Sequence, residues 1–257
     1  MAEGRRVAVV SGANRGIGKE IARELAAAGL DVIVGSRDLD MGRAVAEEIG
    51  ARAHELDVTS RGSIGALADA LPYVDVLVNN AGIALEGFDA QIARRTIEVN
   101  FLGAMHLTDT LLPKMREGGR VVMVSSGVGE LSRFRDRPRR CLEDPELTRD
   151  QLVTMVESFV LDVQAGVHEQ HGWPSSAYAV SKAGMNALTR VLARELAEDP
   201  RRIRVNAACP GWVRTRMGGE SAPRSPEEGA DTPVWLALEA PGELTGLFLR
   251  NRARVPF

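Results

Sequence analysis

Short apolar runs rich in β-branched residues alternate along the chain with longer stretches of helical periodicity. This alternation predicts strand–helix–strand units and a parallel sheet. Residues 7–10 and 121–124 are almost unbroken apolar runs, which is typical of strands that helices cover on both faces. We predict about seven strands, at residues 6–10, 31–36, 52–56, 74–78, 120–125, 204–208 and 246–249.

Helical segments lie between these strands. Ile17, Ile21 and Leu25 are spaced by four residues, as on one face of an amphipathic helix, and Gly29 follows as a stop signal. Further helices are predicted at residues 40–49, 63–70 and 90–115. Because no repeat or low-complexity linker divides the chain, we predict a single α/β domain over residues 1–257. Its doubly wound parallel sheet is expected between two layers of helices.

One segment breaks the alternation, at residues 127–170, and an unstructured loop of that length is unusual in a compact domain. It contains a cluster of arginines and then a helical pattern at residues 145–168. The arginines are Arg133, Arg135, Arg137, Arg139 and Arg140. We predict an inserted helical subdomain at about residues 127–171. We interpret the arginines as a solvated or internally paired surface rather than a polyanion-binding patch.

Composition changes this picture little. The 32 basic and 35 acidic residues give a net charge of -3, which is too near neutral to favour a nucleic-acid or membrane partner. No apolar run approaches the roughly 20 residues of a membrane span, and the N-terminal residues do not resemble a secretory signal. Cys141 and Cys209 are too few for a disulfide framework. We therefore expect a cytoplasmic protein that binds neither nucleic acid nor membrane.

The first predicted strand runs directly into a glycine-rich turn at residues 11–18, Ser-Gly-Ala-Asn-Arg-Gly-Ile-Gly, and a helix follows. Glycine permits a tight turn and a close approach of the backbone to a pyrophosphate, and the amides at the helix N-terminus then face the phosphates. A glycine turn alone is weak evidence, because many strand–helix turns need one glycine. Its place after the first strand of a strand–helix–strand series favours a dinucleotide site.

The end of the second strand indicates which dinucleotide binds. NAD sites place an acid there for the ribose 2′-hydroxyl, whereas NADP sites place cationic groups. This strand ends in Gly35-Ser36-Arg37, and Arg15 lies in the glycine turn. Two guanidinium groups favour a 2′-phosphate through charge-assisted hydrogen bonds. We predict NADPH/NADP+ as the cofactor, the alternative being that the two arginines are unrelated surface residues.

Tyr178 and Lys182 are four residues apart and therefore lie on one face of a predicted helix. A lysine ammonium near a phenol stabilises the phenolate, so we expect the pKa of Tyr178 to lie below its usual value of about 10. Such a pair is common in helices, and its weight depends on the motifs around it.

Several motifs in the same order resemble those of the short-chain dehydrogenase/reductase family over essentially the whole chain. After the glycine turn they are Asp57 behind the third strand, Asn79-Asn80-Ala81-Gly82 behind the fourth, and the Pro210-Gly211 turn with Thr215 beyond it. Four further positions match the catalytic residues of the family: Asn100, Ser126, Tyr178 and Lys182. The resemblance implies a Rossmann-type fold and an NADP(H)-dependent oxidoreductase that exchanges a hydride between nicotinamide and a carbonyl/alcohol pair.

The resemblance also implies a role for each catalytic position. Tyr178 would be the general acid in reduction, and Ser126 would hydrogen-bond the substrate oxygen. Lys182 would lower the tyrosine pKa and bind the nicotinamide ribose, and Asn100 would anchor a proton-relaying water. The expected cofactor contacts are Gly12, Asn14, Arg15, Gly16, Ile17, Gly18, Ser36, Arg37, Asp57, Val58, Asn80, Ala81, Gly82, Tyr178, Lys182, Pro210, Gly211, Val213 and Thr215.

The distance between Ser126 and Tyr178 is unusual. Most members of the family have about a dozen residues there, whereas this chain has 52 positions and thereby resembles the monomeric carbonyl reductases. In that branch the insertion covers the face that other members use to oligomerise. The resemblance therefore implies a monomer that reduces a small-molecule ketone, aldehyde or quinone.

The substrate contacts expected from the resemblance are Ser126, Tyr178 and the aromatic wall of Trp212. Trp212 is alternatively a packed loop aromatic. Because the chain ends soon after the last predicted strand, we expect the insertion and residues 217–223 to supply a lid over the substrate.

Two other functions remain open. One is an NAD(P)+-dependent alcohol or hydroxysteroid dehydrogenase, and the other is an NADP(H) sensor without catalysis, although such sensors lose the tyrosine or the lysine. Cys209 is either a reactive thiol beside Pro210 or an inert core residue. His168 and His171 do not have the spacing of a zinc motif, and we predict no metal site.

Overall fold

A computed structural model describes residues 4–256, and its strands form one sheet in the order β3-β2-β1-β4-β5-β6-β7-β8. The strands of this range are β1 (Val7–Ser11), β2 (Asp31–Ser36), β3 (Arg52–Glu55), β4 (Val74–Asn79), β5 (Met115–Val124), β6 (Arg204–Ala208), β7 (Phe248–Arg250) and β8 (Ala253–Arg254). Every neighbouring pair is parallel except β7 and β8, which are antiparallel. The predicted α/β doubly wound fold is confirmed, with an eighth strand that the sequence did not reveal.

Helices cover both faces of the sheet. Those of the described range are α1 (Gly16–Ala27), α2 (Leu39–Ile49), α3 (Arg61–Asp69), α4 (Ala90–Ile97), α5 (Gly103–Leu111), α6 (Asp136–Glu143), α7 (Arg149–Gln164), α8 (Ala177–Glu195) and α9 (Pro226–Leu238). Successive side chains of a strand point to opposite faces. In β1, Val7 and Val9 therefore enter the core cluster that includes α8 residues, while Ala8 and Val10 enter the cluster that includes α1 residues. This division explains why β1 is apolar throughout.

The prediction of one helix at residues 90–115 was wrong. α4 ends at Ile97, a π-helical turn spans Glu98–Leu102, and α5 continues to Leu111. Pro113 then lies in a short 3₁₀ turn, where its missing amide cannot continue the α-helix, and β5 begins at Met115. Because α4, the π turn and α5 follow one another without a non-helical break, the sequence pattern does not separate them.

The inserted segment is helical, as predicted, and contains two helices. The pattern at residues 145–168 forms α7, which begins with a capping box of Thr148 and Gln151. The arginine-rich stretch before it forms α6, which buries Pro138 and Leu142, and Arg139 forms an ion pair with Glu143 at 2.8 Å. The many arginines concealed the apolar side of this helix from sequence inspection.

The insertion packs onto the rest of the domain. α7 lies against α4 and α8, and α6 lies against α8. Phe159 and Trp173 have ring centroids 5.3 Å apart, and the indole Nε1 of Trp173 donates to Asp162 at 3.0 Å. Arg149 at the start of α7 forms ion pairs with Asp109 of α5 and Glu195 of α8. The insertion therefore shares its core with the neighbouring helices.

The last predicted strand is shifted and extended. It runs over Phe248–Arg250 instead of residues 246–249, because Gly246 adopts a φ of 72° that does not fit a strand. A turn at Asn251 and Arg252 then reverses the chain into β8. Within residues 4–256 no helix is long and apolar enough to cross a membrane.

Candidate active site

The glycine turn after β1 packs tightly against the loop after β4. Gly12 has a φ of 65°, and a methyl group added to it would lie 2.9 Å from the Cα of Ala81. The side-chain amide of Asn80 donates to the carbonyls of Ser11 and Gly12, at 3.0 Å each. Glycine is therefore required at residue 12 for both conformation and space.

The turn leads into a helix terminus that has no side-chain cap. Asp38, Ser60 and Asp89 cap α2, α3 and α4, whereas Arg15 makes no side-chain cap for α1, whose first turn also lacks an acid. The terminus of α1 lines a cavity of about 910 Å³ at the carboxyl ends of the strands, where β1 and β4 are neighbours and the strand order reverses. Uncapped amides and the helix dipole suit this terminus to bind phosphate groups.

Two arginines lie at the same end of the cavity. Arg15 and Arg37 are exposed, line the cavity and, within residues 4–256, form no ion pair. Asp38, the acid that follows Arg37, accepts a hydrogen bond from the amide of Met41 at 3.0 Å as the cap of α2. This end of the cavity therefore presents cationic groups, and its nearest acid is engaged in a helix cap.

Asp57 follows β3 and lines the cavity close to these arginines. Burial raises the pKa of its carboxyl, but hydrogen bonds from the amide and hydroxyl of Thr59, at 2.9 and 2.7 Å, and the charges of Arg37 and Arg95 hold that pKa below its usual range. Asp57 is therefore an ionised hydrogen-bond acceptor at neutral pH.

The opposite end of the cavity contains a buried lysine. Lys182 is 4% exposed, and its Nζ donates to the carbonyl of Val124 at 2.8 Å. Burial lowers the pKa of this ammonium to about 8, because the low dielectric of the interior disfavours its charge.

Tyr178 lies one helical turn before Lys182 on α8. Burial raises the pKa of its phenol to about 12, although a hydrogen bond with Ser126 acts in the opposite direction. The expected lowering of this pKa by the lysine was wrong. The lysine Nζ lies 5.6 Å from the centre of the tyrosine ring and donates to Val124, so desolvation of the phenol dominates.

Ser126 follows β5, where an extended backbone ends the strand. Its Oγ accepts a hydrogen bond from the amide of Val128 at 3.2 Å and thereby caps the short turn Gly127–Gly129. The same hydroxyl interacts with Tyr178. Two hydroxyl groups from different elements therefore meet at one point beside the cavity.

Asn100 lies in the π turn and is completely buried. Its amide hydrogens go to the carbonyl of Ile83 at 2.9 Å and the hydroxyl of Ser181 at 3.1 Å, and its Oδ1 accepts from the amide of Ile83 at 2.8 Å. The Ser181 hydroxyl in turn donates to the carbonyl of Tyr178. The side chain of Asn100 therefore joins the loop after β4 to α8, and its hydrogens are not directed at Lys182.

Most of the cofactor positions expected from the sequence meet in the cavity. Those that line it are Gly12, Asn14, Arg15, Gly16, Ile17, Gly18, Ser36, Arg37, Asp57, Val58, Asn80, Ala81, Gly82, Tyr178, Lys182, Pro210 and Thr215. They come from six separate stretches of sequence, which the topology brings together around the carboxyl ends of the strands.

Three expected residues after β6 are not among those that line the cavity. A methyl group on Gly211 would lie 2.7 Å from the Cδ of Arg224, and the side chain of Val213 is buried against Gly229 of α9. Trp212 is 56% exposed, and its Nε1 donates to the carbonyl of Gly218 at 2.8 Å. Its ring is therefore an exposed feature of the loop and is not packed in the core.

The cavity also contains residues that the sequence did not assign to the cofactor or the substrate, among them Met217 of the predicted lid segment. They are Asp38, Met41, Leu56, Ile83, Ala84, Leu85, Val99, Val124, Ser125, Arg214, Arg216, Met217 and Pro226. Most adjoin a predicted position, so the signal was present in the neighbouring motif. Arg214 and Arg216, on either side of Thr215, add positive charge to this wall.

Comparisons with known proteins agree with this geometry. The model of the family described as short chain dehydrogenase matches residues 6–136, and the chain is 44% identical over 260 residues to carbonyl reductase (NADPH) 1 of Mus musculus, with 94% of each chain covered. The chain belongs to the short-chain dehydrogenase family. A second family model, described as enoyl-(acyl carrier protein) reductase, matches residues 160–237.

Solved structures of similar shape include two reductases. Salutaridine reductase from Papaver somniferum superimposes with a TM-score of 0.88 at 30% identity, over 95% of this chain and 99% of that one. Menthone neomenthol reductase from Mentha piperita gives a TM-score of 0.82 at 28% identity, over 96% and 99%. The resemblance recognised from the motifs is therefore confirmed.

Proposed function

We propose that this short-chain dehydrogenase reduces a ketone, aldehyde or quinone carbonyl to the alcohol with NADPH. The observation that carries the proposal is the form of the cavity, which has a cationic, amide-lined end at Arg15 and Arg37 and, at the other end, the buried Lys182 with the half-buried Tyr178. The relatives named carbonyl reductase (NADPH) support both the cofactor and the type of reaction.

The residues of the cavity fit a dinucleotide. The amides of the α1 terminus suit the pyrophosphate, Asp57 suits a polar group on the adenine side, and Arg15 and Arg37 suit a 2′-phosphate. When bound, NADPH supplies a hydride from its nicotinamide ring.

Tyr178 then protonates the substrate oxygen. With a pKa of about 12, its phenol carries a proton at neutral pH, which is the state that a general acid needs. Ser126 donates a second hydrogen bond to the same oxygen and stabilises the charge that develops on it. The alternative dehydrogenase would run the same proton transfer in reverse, and the relatives named carbonyl reductase (NADPH) favour reduction.

Lys182 and Asn100 support this proton donor. The ammonium of Lys182, held by the carbonyl of Val124, places a positive charge one helical turn from the phenol and offers donors for sugar hydroxyls. Asn100 fixes α8 against the loop after β4 through Ser181 and Ile83. Its side chain acts as a positioning group, and the proton-relaying water that the family resemblance implies at Asn100 remains a proposal.

The direct test follows NADPH absorbance at neutral pH with a panel of quinones, aromatic ketones and aldehydes, and repeats it with NADH. We expect turnover on several carbonyl compounds and a higher kcat/KM for NADPH. Tight NADPH binding without turnover on any compound would favour the sensor, and turnover only in the direction of alcohol oxidation would favour the dehydrogenase.

We further propose that the chain is a monomer of the cytoplasm. α6 and α7 occupy the outer surface of α8 and α4, which leaves less of these helices open to a second copy. The free thiols of Cys141 and Cys209 suit a reducing compartment. Light scattering should give the mass of one chain, 27.7 kDa, and a stable tetramer would contradict the proposal.

A further inference from the structure

The substrate side of the site has a cation that the proposed mechanism does not use. The carboxyl ends of β5, β6 and β7 meet at one edge of the sheet, and Arg250 is the last residue of β7. Its Nε donates to the Sγ of Cys209, just after β6, at 3.3 Å. A methyl group on Gly127, the residue after Ser126, would lie 2.2 Å from its Nη2. The guanidinium therefore extends from β7 across β6 to the neighbour of the catalytic serine.

Arg250 lacks the acidic partner that its neighbour on the same hairpin has. Arg252 forms an ion pair with Asp231, with Nε and Oδ2 3.0 Å apart. Within residues 4–256, Arg250 has no carboxylate at ion-pair distance and no acceptor for its two Nη groups, and its side chain is exposed. One end of the guanidinium is thus fixed by Cys209, while four N–H donors remain directed away from that contact.

A fixed guanidinium with free donors is suited to bind a carboxylate through two parallel hydrogen bonds. Gly127 contributes to this arrangement, because any side chain there would displace the guanidinium. Because Gly127 directly follows Ser126, a carboxylate bound at Arg250 would lie close to a carbonyl held by Ser126, within reach of the same small molecule.

We propose that Arg250 forms an anion subsite that selects carbonyl substrates carrying a carboxylate group. This inference rests on the proposed reductase function and adds the class of substrate to it. The subsite acts by binding the remote end of the substrate, while Ser126 and Tyr178 act on its carbonyl oxygen.

The test compares 3- and 4-carboxybenzaldehyde with their methyl esters, which are of similar size but carry no charge. Because the neutral ester withdraws more electron density from the ring than the carboxylate does, the intrinsic reactivity of the aldehyde favours the esters, and a preference for an acid must come from the protein. We expect kcat/KM of the wild-type chain with NADPH to be about 10-fold to 100-fold higher for one of the acids than for its ester, the range expected for a charge-assisted hydrogen bond. Arg250→Gln should remove this advantage through KM and leave the esters unchanged. Arg250→Lys should retain part of it.

Arg254→Gln is the matched control, because it changes the net charge equally. Arg254 is paired with Leu249 in the β7–β8 ladder, so it points to the opposite face of the hairpin from Arg250. This variant should keep the preference for the acid. The preference of the wild-type chain should also fall with added salt, while turnover of the esters stays constant.

Two results would overturn the inference. One is an equal kcat/KM for acids and esters in the wild-type chain. The other is an equal loss of kcat/KM for acids and esters in Arg250→Gln, which would show that Arg250 only supports the loop at Gly127. If no aldehyde is turned over, the proposed function fails and the subsite is judged by binding. Calorimetry with 4-carboxybenzyl alcohol in the presence of NADP+ should then show binding that Arg250→Gln abolishes, and absence of binding to the wild-type chain would reject the subsite.

Discussion

The two ends of the cavity hold positive charge in opposite ways. At the glycine turn, the side chains of Arg15 and Arg37 are exposed to solvent. At the chemical end, Lys182 is 4% exposed and donates to the carbonyl of Val124 with no carboxylate beside it in the described chain. An exposed cation contributes affinity for an anionic ligand, and salt screens this contribution. A buried cation has a shifted pKa, and its charge destabilises the fold.

This difference separates recognition of the cofactor at one end of the cavity from acid–base catalysis at the other. The exposed arginines can distinguish a phosphate from a hydroxyl without strain in the protein, because they are solvated before binding. Lys182 and Tyr178 have pKa values moved by burial, to about 8 and about 12. Such displaced values are typical of catalytic groups. Variants at the two ends should therefore affect different measurements.

The largest effect is expected for Tyr178→Phe, which removes only the phenolic hydroxyl. Loss of the general acid should lower kcat about 10²-fold to 10⁴-fold, while the Kd of NADPH changes little, because the ring still fills its place. Stopped-flow turnover and fluorescence titration with NADPH measure the two effects. A variant with wild-type kcat would show that another group donates the proton.

The next largest effect concerns stability. In the unfolded chain the lysine pKa is 10.5, and in the fold that of Lys182 is about 8. Below pH 8 the folded chain must keep a buried positive charge, which lowers the free energy of unfolding by about 3 kcal/mol. Between pH 8 and 10.5 the unfolded chain binds more protons than the folded chain. The free energy of unfolding therefore rises with pH in this range. Lys182→Met should therefore stabilise the cofactor-free chain at pH 7 and lose this advantage by about pH 10.5, while abolishing turnover.

Urea unfolding of both proteins at pH 7 and pH 9.5 tests this expectation. Above pH 10, Tyr178 acts in the opposite sense, because its pKa rises from 10.0 to about 12 on folding and the fold then holds the extra proton. Lys19→Met, at a partly exposed lysine paired with Glu48, should show no gain at pH 7. An equal stability difference at both pH values for Lys182→Met would mean that the lysine is not strained by burial.

The smallest effect is expected at the exposed end. Arg37→Ala should weaken NADPH binding about 10-fold, or about 1.5 kcal/mol, and leave NADH binding and kcat at saturation almost unchanged. The loss should shrink at high salt. Arg43→Ala, an exposed arginine of α2 paired with Asp40, provides the control. An equal loss of affinity for NADPH and NADH would show that Arg37 does not recognise the 2′-phosphate, and it would weaken the contrast between the two ends of the cavity.

The sequence predicted the parts of the site that depend on local order. The turn at Gly12, the uncapped start of α1 and the spacing of Tyr178 and Lys182 are properties of neighbouring residues, so they can be inferred without coordinates. The direction of the pKa shift of Tyr178 was missed because it depends on burial by several elements and on the group to which Lys182 donates its hydrogen bond. Spacing alone supplies neither.

Contacts between distant parts of the chain were also missed. Asn100 bonds to Ile83 and Ser181 because a π turn rotates it inwards, and the apolar pattern around it gives no sign of that turn. Arg250 lies beside Ser126 only because β7 joins the sheet two strands away from β5. Such neighbours are consequences of strand order and register.

The short strand β8 has a consequence for handling the protein. It pairs with β7 through only two residues, and it ends in the exposed Arg254. An open strand edge invites a second chain to add its own strand, and a brief, charged edge discourages this. A chain shortened to residue 251 would leave β7 bare, and we expect its concentrated solutions to become turbid while those of the intact chain stay clear.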